Sequence, residues 1–465
     1  MEFELRRILD RFQLGWKDFA DLRVTEVEST NVFIRKGEVD QVVNRKSAGG
    51  AARALVKGAW GFSYTTDLSP DGLSAALDKA IRSARAASSN TKEPAEVYRG
   101  ATFEGRSGLR IRVDPREIPL EEKMSVALRF DGSIRSVGPA VATTGVSLGD
   151  AVKKERVANS LGTNVEYEVC YTRLSAQATV KEGDLVQNVT TSIGESRGWE
   201  TIEGYDVENE GVKLGRRGIN ILSAKPPPSG RMNVIMDHSL VGVYIHEAFG
   251  HASEADAVKA NRSILAGKVG DKVGSEMVTV VDDPTIEGAR GSYPYDSEGT
   301  MARRRVIVER GVLKGFLHSL ETAAFMNVEP NGAARAQDFS SKPIVRMSNT
   351  FVQAGDMTLE ELAELIREGI LLIESYGGYV DPARGQFYFT AQEGRLIRDG
   401  KICESTQNVS MSGLTLEVLQ KTIGVGKEMK IAFPGTCGKD GQSAPVSGGG
   451  PYLAVRDIVV GGRGG

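Results

Sequence analysis

Cysteine is scarce in this chain. Cys170, Cys403 and Cys437 are the only three among 465 residues, an odd number set far apart, which excludes a disulfide framework and fits a reducing compartment. An excess of charge of either sign is also lacking. With 58 basic and 61 acidic side chains the formal net charge is -3, so no field draws the chain to nucleic acid or to an anionic membrane surface. No window approaches the roughly 18 consecutive apolar residues of a membrane helix. The start, Met1-Glu-Phe-Glu-Leu-Arg-Arg-Ile-Leu-Asp10, carries charges where a secretory signal needs an apolar run. These absences lead us to expect a soluble, cytoplasmic protein. No repeat of fixed period is present. Histidine is rarer than any other charge-bearing residue type, with four copies, which makes any clustering of histidines informative.

What is present is ordinary globular material, with 40% hydrophobic and 26% charged residues. The length exceeds one ordinary core, so two domains sharing an interface are expected. Apolar spacing predicts an amphipathic helix over residues 2–13. Short apolar or β-branched stretches then follow at 31–36, 39–43 and 51–56, separated by glycine-containing turns, and read as antiparallel hairpins. Helices are expected from Pro70 to Ser88 and from Pro119 to Val137. Between 139 and 202, polar-apolar alternation such as Ser175-Ala-Gln-Ala-Thr-Val180 reads as strands of a sheet with one face in water. After a helix near 205–218 comes Ser223-Ala-Lys-Pro-Pro-Pro-Ser-Gly230, and three successive prolines continue neither a helix nor a central strand. The boundary is placed there, giving domains 1–222 and 231–465. The second opens on a strand, Met232–Met236, followed by a helix bearing histidines. Beyond that the chain reads mostly as strands, with a helix at 358–368 whose Thr358 and Glu361 make a capping-box pattern. The expected class is α+β, with an N-terminal antiparallel sheet with helices and a strand-rich C-terminal domain.

Two of the four histidines flank a glutamate in Ile245-His-Glu-Ala-Phe-Gly-His251. Neutral imidazoles bind Zn2+, the metal lowers the pKa of a bound water toward about 7, and an adjacent glutamate can move its proton. The spacing, however, is unusual. In a regular helix, at about 100° per residue, an interval of four returns to about 40° from the starting face, whereas five overshoots to about 140°. His246 and His251 therefore share a metal only if the helix is distorted by a π-bulge or ends between them, and Gly250 sits where such a distortion is least costly. The competing reading is two ordinary histidines at the end of a buried helix, and the spacing alone does not choose between them.

The segment His246-Glu-Ala-Phe-Gly-His251 resembles the HExxxH signature of the TldD/PmbA family of metallopeptidases, in its motif-bearing TldD branch. Further likenesses run in order through Val278–Asp283, Asp296-Ser-Glu-Gly299, Val308–Gly315, Val345–Thr350 and Thr436-Cys-Gly-Lys-Asp-Gly-Gln442, and more diffusely through Gly58–Ser63. The resemblance implies a zinc-dependent peptidase acting on small or unfolded peptides, including modified peptide precursors. It implies Cys437 as the third zinc ligand beside His246 and His251, with Glu247 as general base. Three protein ligands leave a fourth position for water. It also implies an α+β fold and a dimer, formed with a TldE/PmbA-like paralogue that lacks the metal motif or with a second copy, enclosing the site so that only unstructured chains enter.

Other candidates read as structural. Cys170 lies in a strand pattern and belongs to a core, Cys403 follows a turn, and His238 and His318 read as packing or surface residues. Glu254 and Asp256 are open between accepting an imidazole N–H and forming a solvated helix face. Gly448-Gly-Gly450 and Gly461–Gly465 lack the strand and helix setting of a dinucleotide site, so no phosphate role is assigned. Two alternative functions stay open. One is a scaffold subunit with a structural zinc, since the other branch of the family keeps the fold without the motif; Glu247 speaks against it, because a structural site has no use for a carboxylate beside its ligand. The other is a zinc amidase acting on non-peptide amides.

Overall fold

The computed structural model describes residues 5–461. Three strands, β1 (Phe19–Arg35), β2 (Glu38–Val56) and β3 (Ala59–Thr65), precede the helix Pro70–Ser88. A short β4 (Glu104–Ser107) and the helix Leu120–Arg135 lead into β5 (Val141–Asn159), β6 (Asn164–Glu182) and β7 (Leu185–Glu195). All seven strands form one sheet in the order β3-β2-β1-β5-β6, with β4 and β7 both paired to β6. The three short segments expected between 31 and 56 are thus parts of two long strands. Gly49 and Gly50 do not break β2, because they are paired with Thr25 and Val24 in the ladder. Their missing side chains make room: a Cβ on Gly49 would meet the Phe339 ring at 2.4 Å, and one on Gly50 would meet Leu73 Cδ2 at 2.3 Å.

One face of this sheet is covered by helices. Ser69 caps Pro70–Ser88 by accepting from the Gly72 N–H, and the helix buries Leu73, Leu77, Ala80, Ile81 and Ala84. Each such leucine is worth about 1.5–3 kcal/mol when fully withdrawn from water. The helices Leu120–Arg135 and Val207–Ser223 cover β5 to β7 through Phe130, Ile134, Leu214 and Ile221. The N-terminal helix is helical only over Leu5–Leu9 among its described residues, and residues 2–4 of the expected span lie outside them.

The opposite face departs in part from the expectation of a solvated surface. Around Arg23 and Arg53 its polar residues are covered by loops of the C-terminal half, whereas Arg35 and Gln177 are exposed. Arg53 pairs with Asp21 and with Glu298 (3.0 Å), and buried Arg23 donates to the carbonyls of Asp338 (2.9 Å) and Ser341 (2.6 Å). Alternation in sequence reports two chemically different faces, and here the polar one is an ionic seam between halves of the molecule.

Helix Val207–Ser223 ends at the proline segment, and β8 (Gly230–Met236) begins after it. In the C-terminal half, β8 is flanked by strands Gly369–Asp381 and Leu453–Gly461, and the pairing of Gly369–Asp381 with Gln386–Arg398 closes a ring through Val409–Leu414. A second sheet contains Val280–Asp282, Asn349–Val352, Gln442–Gly450 and Lys430–Lys439, the last at its edge. Helix Leu359–Ile366 carries the reciprocal Thr358 and Glu361 cap. From 255 to 350 the chain is mainly turns joined by short strands rather than the run of strands expected. The reason is that buried carboxylates take over the role of a ladder. Asp296 accepts from the N–H groups of Glu298, Thr300 and Ala334 at 2.9 Å each, and Asp282 accepts from that of Ser348 (2.8 Å).

Candidate metal centre

Asp237 caps the helix His238–Tyr244 by accepting from the Leu240 N–H. The helix then widens into a π-helical turn over Ile245–Gly250, and the His251 N–H bonds the His246 carbonyl. That five-residue bond is the distortion which the spacing demands: it brings the His251 and His246 rings together edge to face, with centroids 5.4 Å apart and planes at 78°. Gly250 contributes differently from the expectation. Its backbone is ordinary right-handed helix (φ -59°, ψ -49°), so conformational freedom is not what it supplies. A Cβ there would lie 2.0 Å from Met347 Sδ, and space is the constraint.

Cys437 arrives from the edge strand Lys430–Lys439, opposite Ala444. Its Sγ is 3.3 Å from His251 Nε2, and one ligand atom each from His246, His251 and Cys437 lies within 4.8 Å of the others. The hairpin is held against the motif helix by glycines. A Cβ on Gly242 would meet Gly448 C and Gly449 N at 2.7 Å, so Gly448-Gly-Gly450 serves close backbone packing. We expect Gly242→Ala to destabilise the protein by about 1–3 kcal/mol, although alanine is ordinarily the better helix residue by about 1 kcal/mol. Urea unfolding measures the difference, and an unchanged or raised midpoint would contradict this account.

The donors are arranged for a cation. His251 Nδ1 is engaged by Glu254 Oε2 at 3.0 Å, which leaves Nε2 facing Cys437. His246 Nδ1 is buried without a hydrogen-bond partner. Burial alone would raise the Cys437 thiol, but hydrogen bonds and charge from His246 and His251 outweigh it and bring it down to about 5, so sulfur is held as the thiolate a metal requires. Burial opposes a proton on His251, yet Glu254 and Cys437 raise it well above the usual range; a metal ion held by these residues would take the place of that proton. This donor set, two imidazoles and a thiolate, fits zinc. Glu247 Oε2 lies 3.9 Å from His251 Nε2, and its side chain is 32% exposed, beside the donors yet open to solvent.

Residues 229–462 match the family model for the PmbA/TldA metallopeptidase C-terminal domain, with domain 1 matched at 20–88 and the central domain at 113–224. A "Metalloprotease" of Methanothermobacter thermautotrophicus is 38% identical over 96% of both chains. The chain belongs to the TldD/PmbA metallopeptidase family. A "Zinc metalloprotease TldD homolog" of Saccharolobus solfataricus is 30% identical over 74% of this chain and 76% of its own. Among solved structures, TldE from Thermococcus kodakarensis superposes with a TM-score of 0.77 at 19% identity, covering 98% of this chain and 99% of that one. The α+β fold is therefore the TldD/PmbA fold.

Within that fold, sequence reasoning missed Lys439. Its Nζ donates to Asp256 (2.7 and 2.8 Å) and to the Val345 carbonyl (3.0 Å), and sits 3.1 Å from Glu254 Oε2. Glu254 thus touches an imidazole, whereas Asp256 touches only Lys439 and, through one oxygen, the Ala257 N–H. Lys439 was findable: residues two apart on a strand share a face, so it had to lie on the Cys437 side. Gln442 ties the same hairpin to the Lys342 carbonyl (2.9 Å). The remaining candidates are placed elsewhere. His238 Nδ1 bonds the Gly450 carbonyl (2.7 Å) and its ring packs on Tyr452. His318 is buried beside Thr322, and burial lowers it to about 4. Cys170 is buried, Cys403 is exposed, and all three cysteines are free. Gly461 ends the last strand, and 462–465 lie outside the described residues.

Proposed function

We propose that the protein is a zinc-dependent peptidase that hydrolyses small or unfolded peptides, with His246, His251 and Cys437 as metal ligands and Glu247 as general base. The observation that carries this reading is the convergence of three ligand atoms within 4.8 Å next to a carboxylate that solvent reaches. Zinc bound there supplies a Lewis acid and lowers the pKa of water toward about 7. Glu247 takes the water's proton and returns it to the leaving amine. Glu254 holds the His251 ring with Nε2 inward, and Lys439 holds Glu254; partners of this kind fix the tautomer and orientation of a ligand. A carboxylate a third exposed favours turnover over a purely structural zinc.

Residues 1–222 act as one domain in this proposal, because the two N-terminal family segments share a single sheet. Pairing with a TldE/PmbA-like paralogue or a second copy, and residence in the cytoplasm, belong to the same reading. Among the described residues no helix is long and apolar enough to cross a membrane. The test is to measure zinc content and cleavage of an unstructured peptide before and after chelation. Roughly one zinc per chain is expected, with cleavage lost on its removal and regained when zinc alone is returned. Undiminished cleavage by zinc-free protein would sink the proposal.

A further inference from the structure

The polar face of the N-terminal sheet looks across a cavity of about 580 Å³ at the C-terminal half, and Arg173 and Phe433 stand on its wall. None of the four motif side chains lines this cavity. It adjoins the metal centre through Phe433, whose ring centroid is 6.4 Å from that of His246 and which lies on the strand that carries Cys437.

Arg173 has a neighbour of its own charge. Gly194 on β7 is its cross-strand partner, and a Cβ built on Gly194 would lie 3.2 Å from Arg173 Cγ, 3.3 Å from Arg290 Cδ and 3.1 Å from Pro434 Cβ. Both arginine stems therefore run over one glycine. Among the described residues no carboxylate pairs with either guanidinium. Glu195, next along β7, is turned to Arg197 (3.8 Å) and to the Thr201 hydroxyl (3.2 Å). The Nε atoms of Arg173 and Arg290 are both shut off from water without a hydrogen-bond partner. Arg290 has partial compensation: Nη1 donates to the Thr172 carbonyl at 3.5 Å, and the group lies 5.8 Å from the Tyr171 ring. Burial, and after it Arg173, lowers Arg290 to about 10.

Two half-buried like charges without a counterion are costly, and a negative group beside them offsets the cost. Guanidinium forks match a carboxylate in shape as well as charge. We propose that Arg173 and Arg290 form an anion subsite that takes a carboxylate of the peptide substrate, on the side of the metal centre marked by Phe433 and Pro434. This rests on the peptidase reading above. Either the C-terminus of the peptide or an Asp or Glu side chain can supply the group.

The experiment reads binding rather than turnover. Zinc-loaded Glu247→Gln protein is titrated by fluorescence anisotropy with labelled unstructured peptides that differ only in charge. One pair has a free or an amidated C-terminus, and the other has acidic residues or their amides. Neutralising one source is expected to weaken binding about tenfold or more, as loss of a charge-assisted pair does. Dependence on the C-terminus identifies the chain end, and dependence on the side chains identifies internal acids. Adding Arg173→Gln and Arg290→Gln should erase the difference, and Arg290→Lys should restore part of it. The melting temperature should hold or rise, since two unpaired cations are removed; if the double variant folds poorly, each single variant reads the same difference. Charged and neutral peptides binding alike overturn the proposal, as does a preference that persists without the arginines. Absence of cleavage by the wild type, with charge-dependent binding intact, would instead count against the peptidase reading alone.

Discussion

Glu247→Gln is expected to keep its zinc and to lose peptide hydrolysis by about 10²- to 10⁴-fold, the usual contribution of a positioned proton-transfer group. The change is nearly isosteric. It removes the negative charge and the ability to accept a proton but leaves the shape of the π-turn unaltered. Glu247 is the one motif side chain with substantial exposure and has no hydrogen bond to the donors, since 3.9 Å from His251 Nε2 is beyond bonding distance. Losing it should therefore leave the ligands in place. Zinc by elemental analysis and initial rates on an unstructured peptide decide the matter together. Retained zinc with hydrolysis within a few-fold of the wild type would assign the base elsewhere.

Cys437→Ser is expected to fail one step earlier, at holding the metal. Two imidazoles alone make an incomplete zinc site, and a serine hydroxyl neither ionises near neutral pH nor matches the affinity of a thiolate. The loss in metal affinity should exceed the roughly 10- to 100-fold typical for removal of an outer partner of a ligand. The fold should survive, because position 437 is also held through its backbone, by pairing with Ala444 and by Arg346 Nη2 donating to its carbonyl at 2.5 Å. Equilibrium competition with a chelator gives the affinity, and circular dichroism checks the fold. Zinc held as tightly as by the wild type would remove Cys437 from the ligand set.

How legible was this in the sequence? Periodicity located the helices Pro70–Ser88 and Leu120–Arg135 and the cap at Thr358, because local propensity and burial agree there. The five-residue interval between His246 and His251 carried its own geometric demand, and the π-turn meets it. What failed to show were features set by distant segments. Gly49 and Gly50 looked like turn residues because nothing local reveals Phe339 and Leu73 over them. The polar alternation of the first sheet gave no sign that Arg23 and Arg53 face loops some 245 to 318 residues further on. The strands expected between 255 and 350 gave way to loops, since apolar patterning is blind to a buried aspartate that satisfies three backbone N–H groups. Cys437 joined the site only through family likeness, for no spacing rule connects it to the histidines.

That separation has a temporal side. His251 and Cys437 are 186 positions apart, and the hairpin bearing the cysteine docks on the motif helix only once Gly448 and Gly449 exist to receive Gly242. At about 5–20 residues per second, a ribosome needs roughly 10–40 s to travel from one to the other. During that interval the nascent chain displays a histidine pair and an unpaired glutamate but no complete ligand set. A ligand set assembled this way stays incomplete while the histidines alone have emerged, and is closed only after the hairpin that carries Cys437 has been made.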